Sequence, residues 1–261
     1  MEIRLEHLAG PDAGIVLLGL NRPSARNALG RGMVGEFRQT VADLRADRDL
    51  RVLVLHSLVP GTFCAGADLK ERADMSTSQA ALFVQGLRAA FTELEDLPMP
   101  VIAALEGAAF GGGLELALAA DLRVAGADAR MGLVETSLAI LPGAGGTQRL
   151  PRLIGPSRAK ELIFTARRIG AEAAGRLGLV DRVVPAGEAL AAALALAREI
   201  IPNGPLALRL AKQAVNRGLD LDRDSGMALE EACYAQVLPT QDRLEGLAAF
   251  RDKRPPKYRG E

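Results

Sequence analysis

The sequence predicts an α/β fold with mainly parallel strands, followed by a helical C-terminal region. Three observations lead there. Short apolar runs such as Val101–Leu105 show no polar alternation, the pattern of strands buried on both faces. These runs alternate with longer stretches of helical period, which is how parallel strands are joined by crossovers. Beyond about residue 187 strand-like runs cease and helical patterns continue.

Taken in order, Ile15–Leu20 reads as a strand that ends at the turn Asn21-Arg22-Pro23. A helix is expected over 31–48 and a buried strand over 52–56. The turn Pro60-Gly61 leads to the loop Phe63-Cys-Ala-Gly-Ala-Asp68. Ser76 and Gln79 have capping-box spacing, so a long helix starts there and stops before Pro98 and Pro100. Val101–Leu105 is the next strand, and Gly111-Gly-Gly113 opens a helix over 114–120. Strands follow at 122–125 and Arg130–Gly132, then a glycine-rich turn at 142–146, then mainly helix with a last strand at 180–184. Breaks near Pro202, Gly218 and Pro239 divide the remainder into helices. The expected division is a core over 1–189 and a helical region over 190–261, ending in a basic, proline-containing exposed tail.

Composition narrows the function. The 261 residues are 49% hydrophobic and 25% charged, ordinary for a globular chain and incompatible with disorder, collagen or coiled coil. Lys plus Arg and Asp plus Glu are 32 each, which argues against a dedicated nucleic-acid binder. Two cysteines, Cys64 and Cys233, make no disulfide framework, and with only His7 and His56 no metal site is expected. His56 sits in an apolar run and reads as structural. No stretch reaches the ~20 uncharged apolar residues of a membrane span. The first residues show no targeting pattern, so the expected compartment is the cytoplasm, with a mitochondrial protein stripped of its leader as the alternative.

Three motifs carry chemistry. Cys64-Ala-Gly-Ala-Asp68 is a loop without bulk, open to close approach of a ligand to its backbone, or simply a tight turn. In Gly107-Ala-Ala-Phe-Gly-Gly-Gly-Leu-Glu115, glycines precede a helix whose first amides suit a developing oxyanion. Glu115 lies near those amides, either as an active carboxylate or as an N-terminal capping group. In Gly132-Leu-Val-Glu-Thr136, Glu135 is a lone carboxylate among apolar neighbours, where burial raises its pKa and suits it to proton donation. Gly143, Gly145 and Gly146 read as turn chemistry before a helix, since no phosphate-loop lysine follows. Two carboxylates beside amide donors suggest acid–base work on a carbonyl compound.

Together these segments resemble the crotonase superfamily, specifically the enoyl-CoA hydratases, over essentially the whole chain. The resemblance runs from Asn21-Arg-Pro-Ser-Ala-Arg-Asn-Ala-Leu29 through Phe63-Cys-Ala-Gly-Ala-Asp-Leu-Lys70, Gly111-Gly-Gly-Leu-Glu-Leu-Ala117 and Pro142-Gly-Ala-Gly-Gly-Thr-Gln-Arg-Leu150 to Phe250-Arg-Asp-Lys-Arg254. It implies a spiral of ββα units with a C-terminal helical trimerisation region, and a homotrimer or homohexamer. It implies hydration of a 2-enoyl-CoA thioester, with coenzyme A as part of the substrate and no separate cofactor. Glu115 and Glu135 would be the catalytic pair, and the amides of Ala67 and Gly112 the oxyanion hole. Cys64, Ala65 and Ala67 would line the CoA site, Arg22 and Arg26 would meet its phosphates, and Phe250 and Lys253 would reach the CoA of a neighbouring subunit.

Val134 stands where many short-chain hydratases have Pro. The runs Met131-Gly-Leu-Val-Glu-Thr136 and Asp242-Arg-Leu-Glu-Gly246 are closer to the 3-methylglutaconyl-CoA hydratase branch. An isomerase or acyl-CoA hydrolase of the same superfamily is the sibling reading. A member of that branch binds RNA through lysines on an early helix; here the comparable positions are Arg31, Gly35 and Gln39, so RNA binding is not expected. Leu69, Met75, Phe83, Leu138 and Leu141 are candidate acyl-pocket residues or plain core.

Overall fold

The computed structural model describes residues 1–261. β1 (Ile3–His7) and β2 (Ile15–Leu20) pair antiparallel, with Ile3 opposite Leu20. α1 (Arg31–Ala46) buries Met33, Val34, Phe37, Val41 and Leu44, one apolar stripe at helical spacing. Three turns of one plan follow. β3 (Val52–Ser57) and β4 (Thr62–Cys64) lead to α2 (Leu69–Ala73) and α3 (Thr77–Glu95). β5 (Val101–Leu105) and β6 (Ala108–Phe110) lead to α4 (Gly112–Leu118). β7 (Leu122–Gly126) and β8 (Arg130–Gly132) lead through a 3-10 turn, Glu135–Leu138, to α5 (Gly146–Ile154) and α6 (Pro156–Phe164). Then come β9 (Ile169–Gly170), α7 (Ala171–Leu177), β10 (Arg182–Val184) and α8 (Ala189–Ile200). The chain ends with α9 (Pro205–Gly218), α10 (Arg223–Val237) and α11 (Gln241–Asp252).

Each turn sends one strand to a six-stranded sheet, ordered β1-β2-β3-β5-β7-β10, and the next to a four-stranded sheet, ordered β4-β6-β8-β9. This is a ββα spiral, as the resemblance implies. Both sheets are parallel except at β1–β2 and β8–β9. The large sheet is covered twice. Leu53, Leu55, Val101, Ala103 and Leu105 face the main core, while Val52, Val54, Ile102 and Ala104 face α8. Period-two alternation between two buried faces is why the strands read as unbroken apolar runs. Truncating a fully buried side chain such as Leu53 to Ala costs about 2–5 kcal/mol. Ser76 caps α3 in the capping box its spacing predicts.

Packing adds detail to two expectations. The division at 189/190 falls at the start of α8, whose Ala189, Ala193, Leu196 and Ala197 pack on the large sheet, so α8 belongs to the core by packing. The basic tail is mostly exposed, as expected, and its backbone is tied down. Arg259 N and Gly260 N donate to the Asp242 carboxylate at 2.7 Å each, Arg254 pairs with Glu245 at 2.7 Å, and Arg51 Nη2 donates to Tyr258 O at 2.9 Å. Carboxylates on α11 and a cation on the core thus hold the backbone of a segment whose own apolar content is small.

Candidate active site

α4 begins at a glycine that only a residue without a side chain can be. Gly111 has φ 52° and ψ −124°, and a Cβ there would stand 3.0 Å from Glu135 Oε1. Its absence lets the Glu135 carboxylate, carried by the 3-10 turn after β8, close on the start of α4. One helical turn on, Glu115 projects from α4 and is only 2% exposed. It does not cap its own helix. Glu115 Oε1 accepts from Ala144 N and Gly146 N, both at 2.8 Å. The turn at 142–146 therefore does more than reverse the chain: its amides hold a buried carboxylate, leaving the second oxygen without a protein partner.

The two carboxylates share one open cleft of about 610 Å³, with Ala65, Ala67, Gly112, Leu138 and Leu141 among its lining. Burial pushes the Glu115 carboxyl up; the Gly146 and Ala144 amides and the charges of Arg149 and Arg88 oppose this without cancelling it. Burial and then the charge of Glu115 push Glu135 up to about 7. Glu135 Oε2 is buried and has no hydrogen-bond partner within the protein. One carboxylate is thus organised by amides, which favour the ionised form, and the other is biased toward the protonated form.

The loop at 64–68 faces the same cleft. Leu29 N donates to Gly66 O at 2.7 Å and Asp68 N to Leu29 O at 3.0 Å. These bonds clamp the backbone on either side of Ala67 and leave its own N–H without an acceptor. Gly112 N likewise has none, because it precedes the first helical bond of α4. The two amides are close: a Cβ on Gly112 would lie 3.6 Å from Ala67 N. Asp68 caps α2 by accepting from Lys70 N at 3.0 Å and Glu71 N at 3.3 Å.

The other sequence candidates fall in different places. Arg22 is engaged within the chain, pairing with Glu2 at 2.9 Å and Asp68 at 2.8 Å and donating to Ala28 O at 2.6 Å. Its guanidinium braces the Asp68 end of the loop instead of standing free for a phosphate. Arg26 is exposed, with φ 51°, and its carbonyl accepts from Ala65 N at 3.1 Å, so it sits beside the cleft rim. Cys64 is fully buried; its Sγ donates to Asn27 O at 3.0 Å and burial pushes the thiol up to about 12, so its side chain lines nothing. Phe250, 87% exposed, lies on α11 and Lys253 caps that helix's C-terminal end, both outside this chain's cleft. Leu69, Leu138 and Leu141 line the cleft, whereas Phe83 is buried core and Met75 packs against that core. Arg72, Val84 and Leu87 line it unannounced, as does Ala144, whose amide with that of Gly146 holds Glu115. No sequence signal marks the two amides that hold Glu115; they act from a turn far along the chain.

An amide-held carboxylate, a second carboxyl raised to about 7 and two amides without acceptors make an arrangement suited to acid–base work next to a carbonyl group. A family model described as Enoyl-CoA hydratase/isomerase matches residues 10–261, and the chain belongs to that family. It is 53% identical over 264 residues to human "Methylglutaconyl-CoA hydratase, mitochondrial", covering 100% of this chain and 78% of that protein. It is 56% identical to human "Enoyl-CoA hydratase domain-containing protein 2, mitochondrial", covering 99% and 90%. A crystal structure of enoyl-CoA hydratase from Bacillus anthracis superposes with a TM-score of 0.97 at 46% identity, covering all of both chains.

Proposed function

We propose that the protein adds water across the C2=C3 bond of a 2-enoyl-CoA thioester. The observation that carries this is the pairing of Glu115 and Glu135 in one cleft beside the free amides of Ala67 and Gly112. The thioester oxygen accepts from both amides, which stabilise the enolate as charge develops there. Glu115, ionised and fixed through Oε1, takes a proton from water through its other oxygen as the water oxygen bonds to C3. Glu135, protonated, delivers its proton to C2. The next water bridging the carboxylates returns the proton from Glu115 to Glu135, so the cycle closes without a separate cofactor. Because the groups interact, their titration belongs to the pair.

Ala65 and Arg26 at the rim are the proposed contacts to the CoA moiety from this chain, with Phe250 and Lys253 serving a neighbouring subunit. Self-association is supported by the exposed apolar side chains Tyr234, Leu244, Leu247 and Phe250 on α10 and α11. A homotrimer or its hexameric pair is the proposed state. On compartment, the names of the mitochondrial relatives support the mitochondrial alternative over the cytoplasmic one.

The test is loss of the conjugated enoyl-thioester absorbance with crotonyl-CoA and, in parallel, 3-methylglutaconyl-CoA. Fast loss with either supports hydration, and their rate ratio chooses the branch. Absence of loss with both, in folded protein that binds CoA, overturns the reading in favour of an isomerase or hydrolase.

A further inference from the structure

The turn at 142–146 has two polar faces, and only one of them meets Glu115. The amides of Ala144 and Gly146 donate to Glu115 Oε1 at 2.8 Å each. Two carbonyl oxygens of the turn meet arginines instead. Gly143 O accepts from Arg88 Nε at 3.0 Å and Nη2 at 2.9 Å, and Ala144 O accepts from Arg149 Nη1 at 3.1 Å. The approach to α3 is close because residue 143 has no side chain: a Cβ there would stand 2.6 Å from Val84 Cγ1. Val84 and Arg88 are four residues apart and share a face of α3, so a turn that rests on Val84 comes within reach of the Arg88 guanidinium.

One peptide unit joins the two faces. The carbonyl of Gly143 and the N–H of Ala144 belong to the same trans peptide plane and point in opposite directions. Arg88 therefore donates into the plane whose N–H donates to Glu115. A cation on the carbonyl polarises the peptide and makes its N–H a stronger donor. The second amide is served in the same sense by backbone alone. Gly146 N shares its plane with Gly145 O, which accepts from Gln148 N at 2.9 Å and Arg149 N at 2.8 Å. The Arg149 guanidinium is placed differently. Ala144 O belongs to the plane of the Gly145 amide, which makes no bond to Glu115, and the Arg149 charge is paired with Glu95. Arg88 pairs with no carboxylate, and its Nε and Nη2 both fall on one carbonyl. The charged groups around Glu115 are Glu135 on the 3-10 turn, Arg72 on α2, Arg149 on α5 and Arg88 on α3. Burial drives the Glu115 carboxyl up, and the Gly146 and Ala144 amides, then Arg149 and Arg88, resist.

We infer that Arg88 is a positioning residue for the reaction: its guanidinium fixes the Gly143–Ala144 peptide and, through that peptide, holds Glu115 in place as a carboxylate. This rests on the reading of Glu115 as the base that takes a proton from water. Arg88 is exposed, so its replacement leaves the core intact.

The experiment reads Glu115 directly. Intact protein carrying 13C-carboxyl glutamate is titrated by infrared difference spectroscopy, with Glu115→Gln identifying the band. In Arg88→Met the Glu115 midpoint is expected to rise by about one pH unit, a tenfold gain in proton affinity. The acid limb of kcat/KM on crotonyl-CoA is expected to move up by the same amount. The rise is expected to persist in about 1 M KCl, where charges acting through water are screened within about 3 Å. Arg88→Lys, which keeps a cation for the carbonyl, is expected to return part of the shift. An unchanged midpoint in Arg88→Met, a rise that salt abolishes, or a lysine variant with the full shift of the methionine variant overturns the inference. Protein that titrates as expected but fails to hydrate crotonyl-CoA would count against the hydratase reading alone.

Discussion

Arg22 Nη1 stands 2.8 Å from Asp68 Oδ2, and Asp68 is the residue after Ala67. The pair therefore braces the end of the loop whose amide faces the cleft. Burial pushes the Asp68 carboxyl up, but the Glu71 and Lys70 amides and the Arg22 guanidinium outweigh it and hold the group below its ordinary value. Arg22→Met leaves a poorly hydrated carboxylate without its cation. A loss of about 1–3 kcal/mol in urea unfolding is expected, with a fall in kcat on crotonyl-CoA. Normal kcat in the variant would show that the Ala67 amide is placed without the pair.

Gly111→Ala tests the approach of Glu135 to α4. The added Cβ meets Glu135 Oε1 at 3.0 Å and forces a side chain into positive φ. Backbone strain of about 1–2 kcal/mol is expected in unfolding, together with a steep loss of kcat at unchanged CoA-ester affinity. A variant of reduced stability but full kcat would remove Glu135 from the chemistry.

The pH profile follows from the two environments. The acid must be protonated, so kcat/KM falls as pH rises past about 7, where Glu135 titrates. The proposed base must be ionised, so the acid limb reflects Glu115, which burial raises above its ordinary value. A bell is expected in steady-state rates between pH 4 and 9. Glu115→Gln and Glu135→Gln are each expected to lower kcat by about 100–10,000-fold. Retention of near-normal rates in either would reassign its role.

Stability gives an independent readout. The folded value of Glu135, about 7, lies above its unfolded value, so folding favours the protonated form. The folded state loses stability as pH rises from the unfolded value toward 7 and carries the full penalty above it. Glu135→Gln removes the charge and is expected to gain about 1–2 kcal/mol at pH 8, an advantage that shrinks toward pH 4. Equal urea midpoints for variant and parent at pH 8 would contradict the burial account.

Assembly has its own test. Leu244 and Leu247 expose 50% and 59% of their surface on α11. Leu247→Asp is expected to lower the mass measured by light scattering from a multiple of 27.5 kDa to 27.5 kDa. A monomeric parent protein would remove the proposed interface.

What the sequence made legible follows from range. Ile15–Leu20 and Val101–Leu105 announced themselves because burial on both faces leaves no polar residue. Thr62–Cys64 and Ala108–Phe110 did not, because three residues carry no period; they are strands only through pairing across the small sheet. Glu115 and Glu135 were legible from glycines before a helix and a carboxylate among apolar neighbours. The partners that tune them were not. Ala144 and Gly146 lend backbone amides, which no residue type advertises. The resemblance implied Arg22 as a ligand contact, and position in a motif does not reveal that Glu2 and Asp68 fold back onto it.

The buried thiol of Cys64 has a chemical corollary. Thioesters exchange their acyl group with any accessible thiolate, and the proposed substrate would rest on the loop that begins at this residue. Sγ is fully covered and its hydrogen is given to Asn27 O, so almost no thiolate exists at neutral pH to attack. The protein can carry a cysteine at the start of the cleft loop without offering a thiolate that would divert a thioester into an acylated enzyme.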